Sequence, residues 1–273
     1  MGFDIIDVVG SIGKAYDSTA PHRHTFFELF FFRSGKGTHE IDFNHYPVEG
    51  NSVHFVSPGQ IHHLDLKNTK GQVLCFTEDF ASLKSKGSFV EDFPFYDPIS
   101  PPSLKLSKVL GEEIAGLIDS ANRDLDKLRE SNHELLHAYL NIILLKIRTF
   151  FLDKQKNNPQ PAQGREQKVI LFKKLVNELY STHSAVSDYA QQLSLSPNYL
   201  NALCKKHEGK TATQLIQDRL LLESKRLLYA TDMNVKEISF YLKFEDVSYF
   251  NRFFKKQTGL TPVQYRRQVL KND

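Results

Sequence analysis

Residues Pro197–Gln214 read PNYLNALCKKHEGKTATQ, and residues Val247–Gln264, fifty positions on, read VSYFNRFFKKQTGLTPVQ. Between Tyr199 and Thr211, six of thirteen positions are identical in the two stretches, and Gln214 is answered by Gln264. The apolar positions stay apolar: Leu200, Leu203 and Cys204 in one, Phe250, Phe253 and Phe254 in the other. Two copies of one small structural unit are the economical explanation.

Each copy reads as helix, tight turn, helix. In the second, Asn234-Val235-Lys236-Glu237 has the form of a capping box, Ile238 and Leu242 mark a short apolar face, and Asp246 caps the next helix. In the first, Val186, Ala190 and Leu193 take the equivalent places, the turn is one residue shorter, and Ser196 caps a helix that opens on Pro197. Gly209 and Gly259 fall where a left-handed stop belongs.

Helical spacing separates the faces of the two later helices. Opposite the apolar residues stand Asn198, Asn201, Ala202 and Lys205 in the first copy and Val247, Ser248, Asn251, Arg252 and Lys255 in the second, with Tyr199 beside them. A short helix with amides near its start and Arg or Lys toward its end suits a major groove. Amides read adenine edges, Arg reads guanine, and lysines meet phosphates. Charge agrees with this: residues 165–273 carry +7 and residues 1–164 carry −4, a split hidden by the overall +3.

These residues make the C-terminal part recognisable. The run Val235–Arg266, with Ile238-Ser239, Phe244, Asp246, Ser248-Tyr249-Phe250, Arg252, Phe254-Lys255-Lys256, Gly259-Leu260-Thr261-Pro262 and Tyr265-Arg266, resembles the signature of the AraC/XylS family of bacterial transcription regulators. The resemblance covers roughly residues 165–270. It implies two helix-turn-helix units joined by a linker helix, about Thr211–Tyr229, with both later helices in the major groove of double-stranded promoter DNA. Two such units in one chain meet groove faces about 34 Å apart. Where the family usually has Gly before the Phe of the second turn, this chain has Lys243. A lysine held there at positive φ costs roughly 1 kcal/mol.

The N-terminal part is different material. Phe26–Phe32, Thr38–Phe43, Ser52–Val56 and Gln72–Thr77 read as short β-strands, with Ser34-Gly35-Lys36-Gly37 and Ser57-Pro58-Gly59 as turns between them. Strands at this spacing suggest a small barrel or jelly roll. After the Pro-rich stretch Asp97–Pro102 the period becomes helical, about Leu104–Ile118 and Ala121–Leu152. Gln155–Gly164 reads as an exposed linker. The expected division is therefore a sensor and dimerisation domain over 1–155, a linker over 156–164 and a DNA-binding domain over 165–273. The fold class is α+β: a β-barrel with trailing helices, then an all-α domain.

The strand segment resembles a cupin, the sensor barrel common in front of AraC-type DNA-binding domains. His22-x-His24-x-x-x-Glu28, with Gly35 beyond it, matches the first cupin motif, and Pro58-Gly59-x-x-His62 matches part of the second. In metal-binding cupins three His and one Glu at these places bind a divalent cation. The match departs from the pattern at the first motif's opening Gly, where Tyr16 stands, and at the second motif's leading Pro and closing Asn. The reading is therefore that His22, His24, Glu28 and His62 line a small-molecule pocket, with no metal and no cofactor. A metal-dependent cupin enzyme fused to a DNA-binding module is the alternative.

Leu125, Leu135, Leu136, Tyr139, Leu140, Ile143, Ile147 and Phe150 recur at helical steps, and Lys146 and Arg148 interrupt any membrane-length apolar run. Packing against the barrel is one use of that surface. The resemblance implies a second, pairing two chains into a homodimer, with Leu136 and Ile143 expected on the pairing face. Cys75 and Cys204 fall in separate domains and read as reduced, Met1-Gly2-Phe3-Asp4 starts no signal peptide, and the expected location is cytoplasmic. No Gly-rich phosphate loop, nucleophile elbow or CxxC pair appears. The expectation is a non-enzymatic, ligand-responsive regulator of transcription, with RNA polymerase a possible partner.

Overall fold

The computed structural model describes residues 2–8, 20–81, 89–98, 100–128, 133–157, 164–182 and 185–269. It divides into two compact units, Met1–Asn158 and Pro159–Asp273. Tyr16 and the linker residues 158–163 lie outside the described residues.

The first unit is an antiparallel sheet backed by helices. Its strands are β1 (Phe3–Asp7), β2 (His22–Arg23), β3 (Phe27–Ile41), β4 (Asn44–Glu49), β5 (Ser52–Val56), β6 (Ile61–Phe76) and β7 (Ser103–Lys105). The main path runs β1-β6-β3-β5-β7, with β2 added to β6 and β4 to β3. The sequence reading placed a turn at Ser34–Gly37, but the structure carries β3 straight through it. Register shifts at Phe32/Ser34 and Ser34/Lys36 mark a bulge there. Gly35 has φ +108°, and a Cβ on it would lie 2.3 Å from the Thr69 Cα, so the bulge needs a residue without a side chain.

That bulge bends the sheet over on itself. On β3, Phe30 pairs with His54 of β5, and His39 stands nine residues further along. An extended strand would separate the two by about 30 Å. Yet the His39 and His54 rings stack at 5.3 Å, so β3 folds back over itself.

Alternation sorts the two faces of β3. Phe27, Leu29 and Phe31 join Phe55, Leu74 and Phe76 in a core shared with the helices α3 (Lys108–Leu128) and α4 (His133–Asn157). Phe30 and Phe32 turn the other way, into a second cluster with Val48, Val56 and Val73. Two one-turn helices, α1 (Glu78–Ala81) and α2 (Phe89–Asp92), and a 3-10 turn at Pro94–Tyr96 extend the first core.

Helix α3 runs unbroken past Ile118, where the sequence reading ended a helix. Its Ile114, Ile118, Ala121 and Leu125 pack with Leu136, Leu140, Ile143, Leu144, Ile147 and Phe151 of α4. Helix α4 is long and apolar enough to cross a membrane by length and composition. Those buried residues make it a core helix instead, each contributing about 1.5–3 kcal/mol of burial. Leu136 and Ile143 are thus core residues; Leu135, Ile142 and Leu145 are the exposed ones.

The second unit is all helix: α5 (Gly164–Leu179), α6 (Val186–Gln192), α7 (Pro197–Glu208), α8 (Ala212–Ala230), α9 (Val235–Tyr241), α10 (Val247–Thr258) and α11 (Pro262–Val269). It has its own core, in which Leu200, Leu203 and Cys204 of α7 and Phe250, Phe253 and Phe254 of α10 meet Ile216, Leu220, Leu227 and Leu228 of the linker helix α8.

Candidate functional site

Helices α7 and α10, which carry the groove candidates, are held by matching local chemistry. Ser196 and Asp246 each accept a hydrogen bond from the backbone N–H three residues on, at Tyr199 and Tyr249. Gly209 and Gly259 close the helices at φ +71° and +79°. Each helix then hands over to a Thr-x-x-Gln box: Thr211 with Gln214 at the start of α8, Thr261 with Gln264 at the start of α11. The sequence shows this second Thr-Gln pair, but its capping role appears only in the structure. Arg266 adds a longer-range cap, donating to the carbonyls of Leu227, Leu228 and Thr231 at the end of α8.

The two turns also match. Leu195 N–H donates to the Ala190 carbonyl, and Phe244 N–H donates to the Ser239 carbonyl. Each turn holds one non-glycine residue in the left-handed region, Ser194 at φ 55° and Lys243 at φ 59°. The strain expected at Lys243 is there, and Ser194 shares it.

Asn198, Tyr199, Ala202 and Lys205 on α7 are exposed, as are Ser248, Arg252 and Lys255 on α10; Val247, Asn201 and Asn251 are half-buried. Asn201 is the one whose side chain is already employed. Its Nδ2 donates to the Pro197 carbonyl, and its Oδ1 accepts from the backbone N–H and the hydroxyl of Thr213, both at 3.3 Å. It ties α7 to the first turn of α8. In the second copy the position equivalent to Thr213 is Val263, which has no hydroxyl to offer the counterpart Asn251.

In the barrel, the register of β2 with β6 sets His22 opposite His62. His24 Nε2 lies 3.4 Å from one Glu28 oxygen and His62 Nε2 lies 3.0 Å from the other. Glu28 and His62 are fully buried, while His22 and His24 are half-buried and open the cluster outward. His22, His24 and His62 each offer a ring nitrogen within 4.8 Å of the others. Three imidazoles at this spacing, with the Glu28 carboxylate against two of them, are a donor set that suits a divalent transition ion such as zinc, iron, manganese or nickel. Burial lowers the His24 pKa against the pull of the Glu28 carboxylate, which keeps the ring in its ligand form. Cys75 lies behind Glu28, its Sγ 3.8 Å from Oε1, and burial pushes its thiol far up and keeps it protonated.

Sequence reasoning missed two further histidines. His39 and His54, both wholly buried in the barrel, hydrogen-bond to each other at 3.2 Å, and His39 bonds to His62 at 3.2 Å. Burial holds His39 well below the usual histidine pKa and His54 down to about 4. Neither belongs to a short motif; only the curl of β3 brings them together.

Residues 189–268 match the family described as a helix-turn-helix domain, and residues 7–79 match the AraC-like ligand binding domain. The chain is 24% identical over 260 residues to the HTH-type transcriptional activator RhaR of Enterobacter sp. (strain 638), covering 92% of this chain and 88% of that protein. It is 22% identical over 254 residues to the HTH-type transcriptional activator RhaS of Salmonella schwarzengrund (strain CVM19633), covering 90% and 87%. The chain belongs to the AraC/XylS family. Among solved structures, the C-terminal domain of the two-component response regulator yesN from Fusobacterium nucleatum is 34% identical. That alignment takes in 35% of this chain and 94% of the other, at a TM-score of 0.34.

As an AraC/XylS protein, the chain is a DNA-binding regulator of transcription with a small-molecule-sensing domain in front. The four barrel residues lie within the matched ligand-binding segment, and the ten groove-facing candidates lie within the matched helix-turn-helix segment.

Proposed function

We propose that this AraC/XylS regulator is a cytoplasmic homodimer that activates transcription by reading promoter DNA with α7 and α10. Base edges are met by Asn198, Asn251, Arg252 and Ser248, with Ala202 and Val247 in apolar contact. Tyr199, Lys205 and Lys255 meet the backbone. Asn201 holds α7 against α8 and reads little itself. The observation that carries this reading is the pair of matched, capped helices whose outward faces are amide-rich at the start and basic at the end. Activation follows the printed names of the relatives RhaR and RhaS, and it implies contact with RNA polymerase.

The barrel serves as sensor, not as an enzyme: among the described residues around Glu28 there is no activated nucleophile, and the buried Cys75 is held as a thiol. An effector in the barrel acts only if it prefers one conformation or dimer arrangement, since equal affinity for both shifts nothing. A coupling of about 1–3 kcal/mol, reciprocal between effector and DNA, is the expected size. Dimerisation is supported by the unburied apolar residues Val109, Leu135, Ile142 and Leu145 on α3 and α4.

The test is a binding-site selection on the whole protein, followed by transcription from the selected site. A selected sequence with two half-elements about one helical turn apart is expected. Recovery of no consensus would overturn the reading, and sedimentation of an Ile142→Asp variant as the same dimer would remove the proposed dimer face.

A further inference from the structure

The linker helix α8 carries a charged row on one face. Arg219, Glu223 and Arg226 follow at steps of four and three residues, so their side chains line up along the helix. Glu223 Oε2 accepts from Arg219 Nη1 at 3.0 Å and from Arg226 Nη1 at 3.2 Å, and all three side chains are largely buried. At Arg219 the row reaches off the helix: its guanidinium lies over the Tyr180 ring, with Cζ 3.9 Å from the centroid. A cation over an aromatic face is a directional contact when desolvated, and the flat guanidinium restricts it further. Burial raises the pKa of the Tyr180 hydroxyl, and Glu223 and Tyr241 of α9 push the same way against Arg219 and Arg226. The ring therefore stands among groups of both α8 and α9.

Tyr180 belongs to the first helix-turn-helix unit. It follows α5 directly, and its N–H donates to the Val176 carbonyl, continuing the last turn. The second unit is pinned to α8 elsewhere. Gln257 of α10 donates to Gln217 at 3.2 Å, and Arg266 of α11 holds the carbonyls at the end of α8. Between the units opens a cleft of about 470 Å³, lined by Tyr180 from the first, Phe244 and Tyr249 from the second, and Ile216 and Leu220 of α8. Along that cleft the units do not interlock, so their mutual angle depends on how each sits on α8. Apolar burial is non-directional and leaves small rotations cheap, whereas the stacked and hydrogen-bonded row opposes them. Over a spacing of about 34 Å between reading helices, a rotation of about 10° moves one of them by about 6 Å, more than one base-pair step.

We propose that Tyr180, Arg219 and Glu223 are positioning residues that set the angle between the two helix-turn-helix units, and so the spacing of the half-elements that α7 and α10 can read together. None of the three has to touch DNA for this. The role rests on α7 and α10 being the groove helices, and the two readings fail in different ways.

The probes are duplexes carrying the two half-elements that the wild-type protein selects for one chain. They are made at the selected spacing and with one base pair inserted or removed between the half-elements, and each is titrated with full-length protein. Wild type should lose about tenfold or more on either altered duplex. Tyr180→Leu should bind all three duplexes nearly alike, and so should Arg219→Gln, which removes the charge from the ring. Tyr180→Phe keeps the ring face and should discriminate as wild type does. Lower fold stability alone would weaken all three duplexes together and leave their ratios unchanged, so the ratios report position. Wild-type ratios in both Tyr180→Leu and Arg219→Gln would overturn the proposal, as would a Tyr180→Phe protein as indifferent to spacing as Tyr180→Leu. If Tyr180→Leu does not fold, Arg219→Gln decides by the same ratios. A wild type that selects half-elements but tolerates the altered spacings ends this proposal and spares the groove reading, while a wild type that selects none ends both.

Discussion

The two units of this chain are built on opposite plans. The helical unit repeats itself: each later helix is capped by a residue three positions away, stopped by its own glycine and packed on its own apolar triplet. Almost everything that shapes it is local in sequence. The barrel draws its interior from positions far apart: Glu28 and His39 on β3, His54 on β5 and His62 on β6 meet because a bulge bends one strand back. Local construction gives a unit that tolerates change at its surface and fails at its core. Long-range construction places titratable groups in the core itself, where solvent conditions can reach the stability of the fold.

The sharpest way to break this comparison is to damage one core and watch the other. Phe254 is fully buried, with its ring against Phe250 and Tyr265. Phe254→Ala should cost the helical unit about 3–5 kcal/mol. DNA binding should be lost near physiological temperature while the barrel's own melting transition stays where it was. A shift of both transitions together would show that the units do not fold independently.

Acid should do the reverse. Burial lowers the His54 pKa to about 4, below its unfolded value near 6.5, so the fold favours the neutral ring. The stability this represents is fully present above pH 6.5 and is lost as the pH falls toward 4, amounting to about 3 kcal/mol. The helical unit has no buried histidine among the described residues. Melting followed from pH 7 to pH 4.5 should lower the barrel transition and spare the helical one, and His54→Phe should flatten the barrel's pH dependence. An unchanged slope in that variant would move the acid sensitivity elsewhere.

The same contrast explains what the sequence disclosed. Caps, stops, triplets and turns of the helical unit were readable because each depends on residues within about four positions of one another. The Asn201–Thr213 tie was hidden: both residues were visible, but nothing in their twelve-residue separation showed that the amide turns inward. In the barrel the strands were readable and their continuity was not. Ser34-Gly35-Lys36-Gly37 has the composition of a turn, and only the pairing of β3 with β6 across it makes it a bulge. His22, His24, Glu28 and His62 were legible through motif resemblance. His39 and His54 were not, since isolated histidines in strand patterns carry no sign of what they face.

Within the helical unit, similarity of the copies can be tested at the groove. Arg252→Ala should cost about 1–3 kcal/mol at the true operator and relax preference at one base pair. Lys255→Ala should weaken all sequences alike and reduce the salt slope by about one. Asn201→Ala should loosen α7 against α8, showing as a lowered helical melting transition with base preference intact. Binding-site selection on the three variants separates these outcomes. A change of base preference in Asn201→Ala would return that amide to the groove.

The smallest effect concerns the turns, where the two copies share a strained conformation. Ser194 and Lys243 each sit at positive φ just after a buried leucine, in turns with the same hydrogen bond closing over them. A left-handed residue with a Cβ costs about 1–2 kcal/mol, and glycine's greater freedom in the unfolded chain returns about half of that. Lys243 is exposed, so its replacement removes no packing. Lys243→Gly should therefore stabilise the helical unit by about 0.5–1 kcal/mol, and Ser194→Gly should do so by a similar amount, the two adding because the turns share no partner. If Lys243→Gly stabilises the fold but weakens DNA binding equally on all sequences, the lysine is retained for its charge near phosphate. If it destabilises the fold, the positive φ is held by contacts of the side chain itself, and the two turns are alike in shape but not in cause.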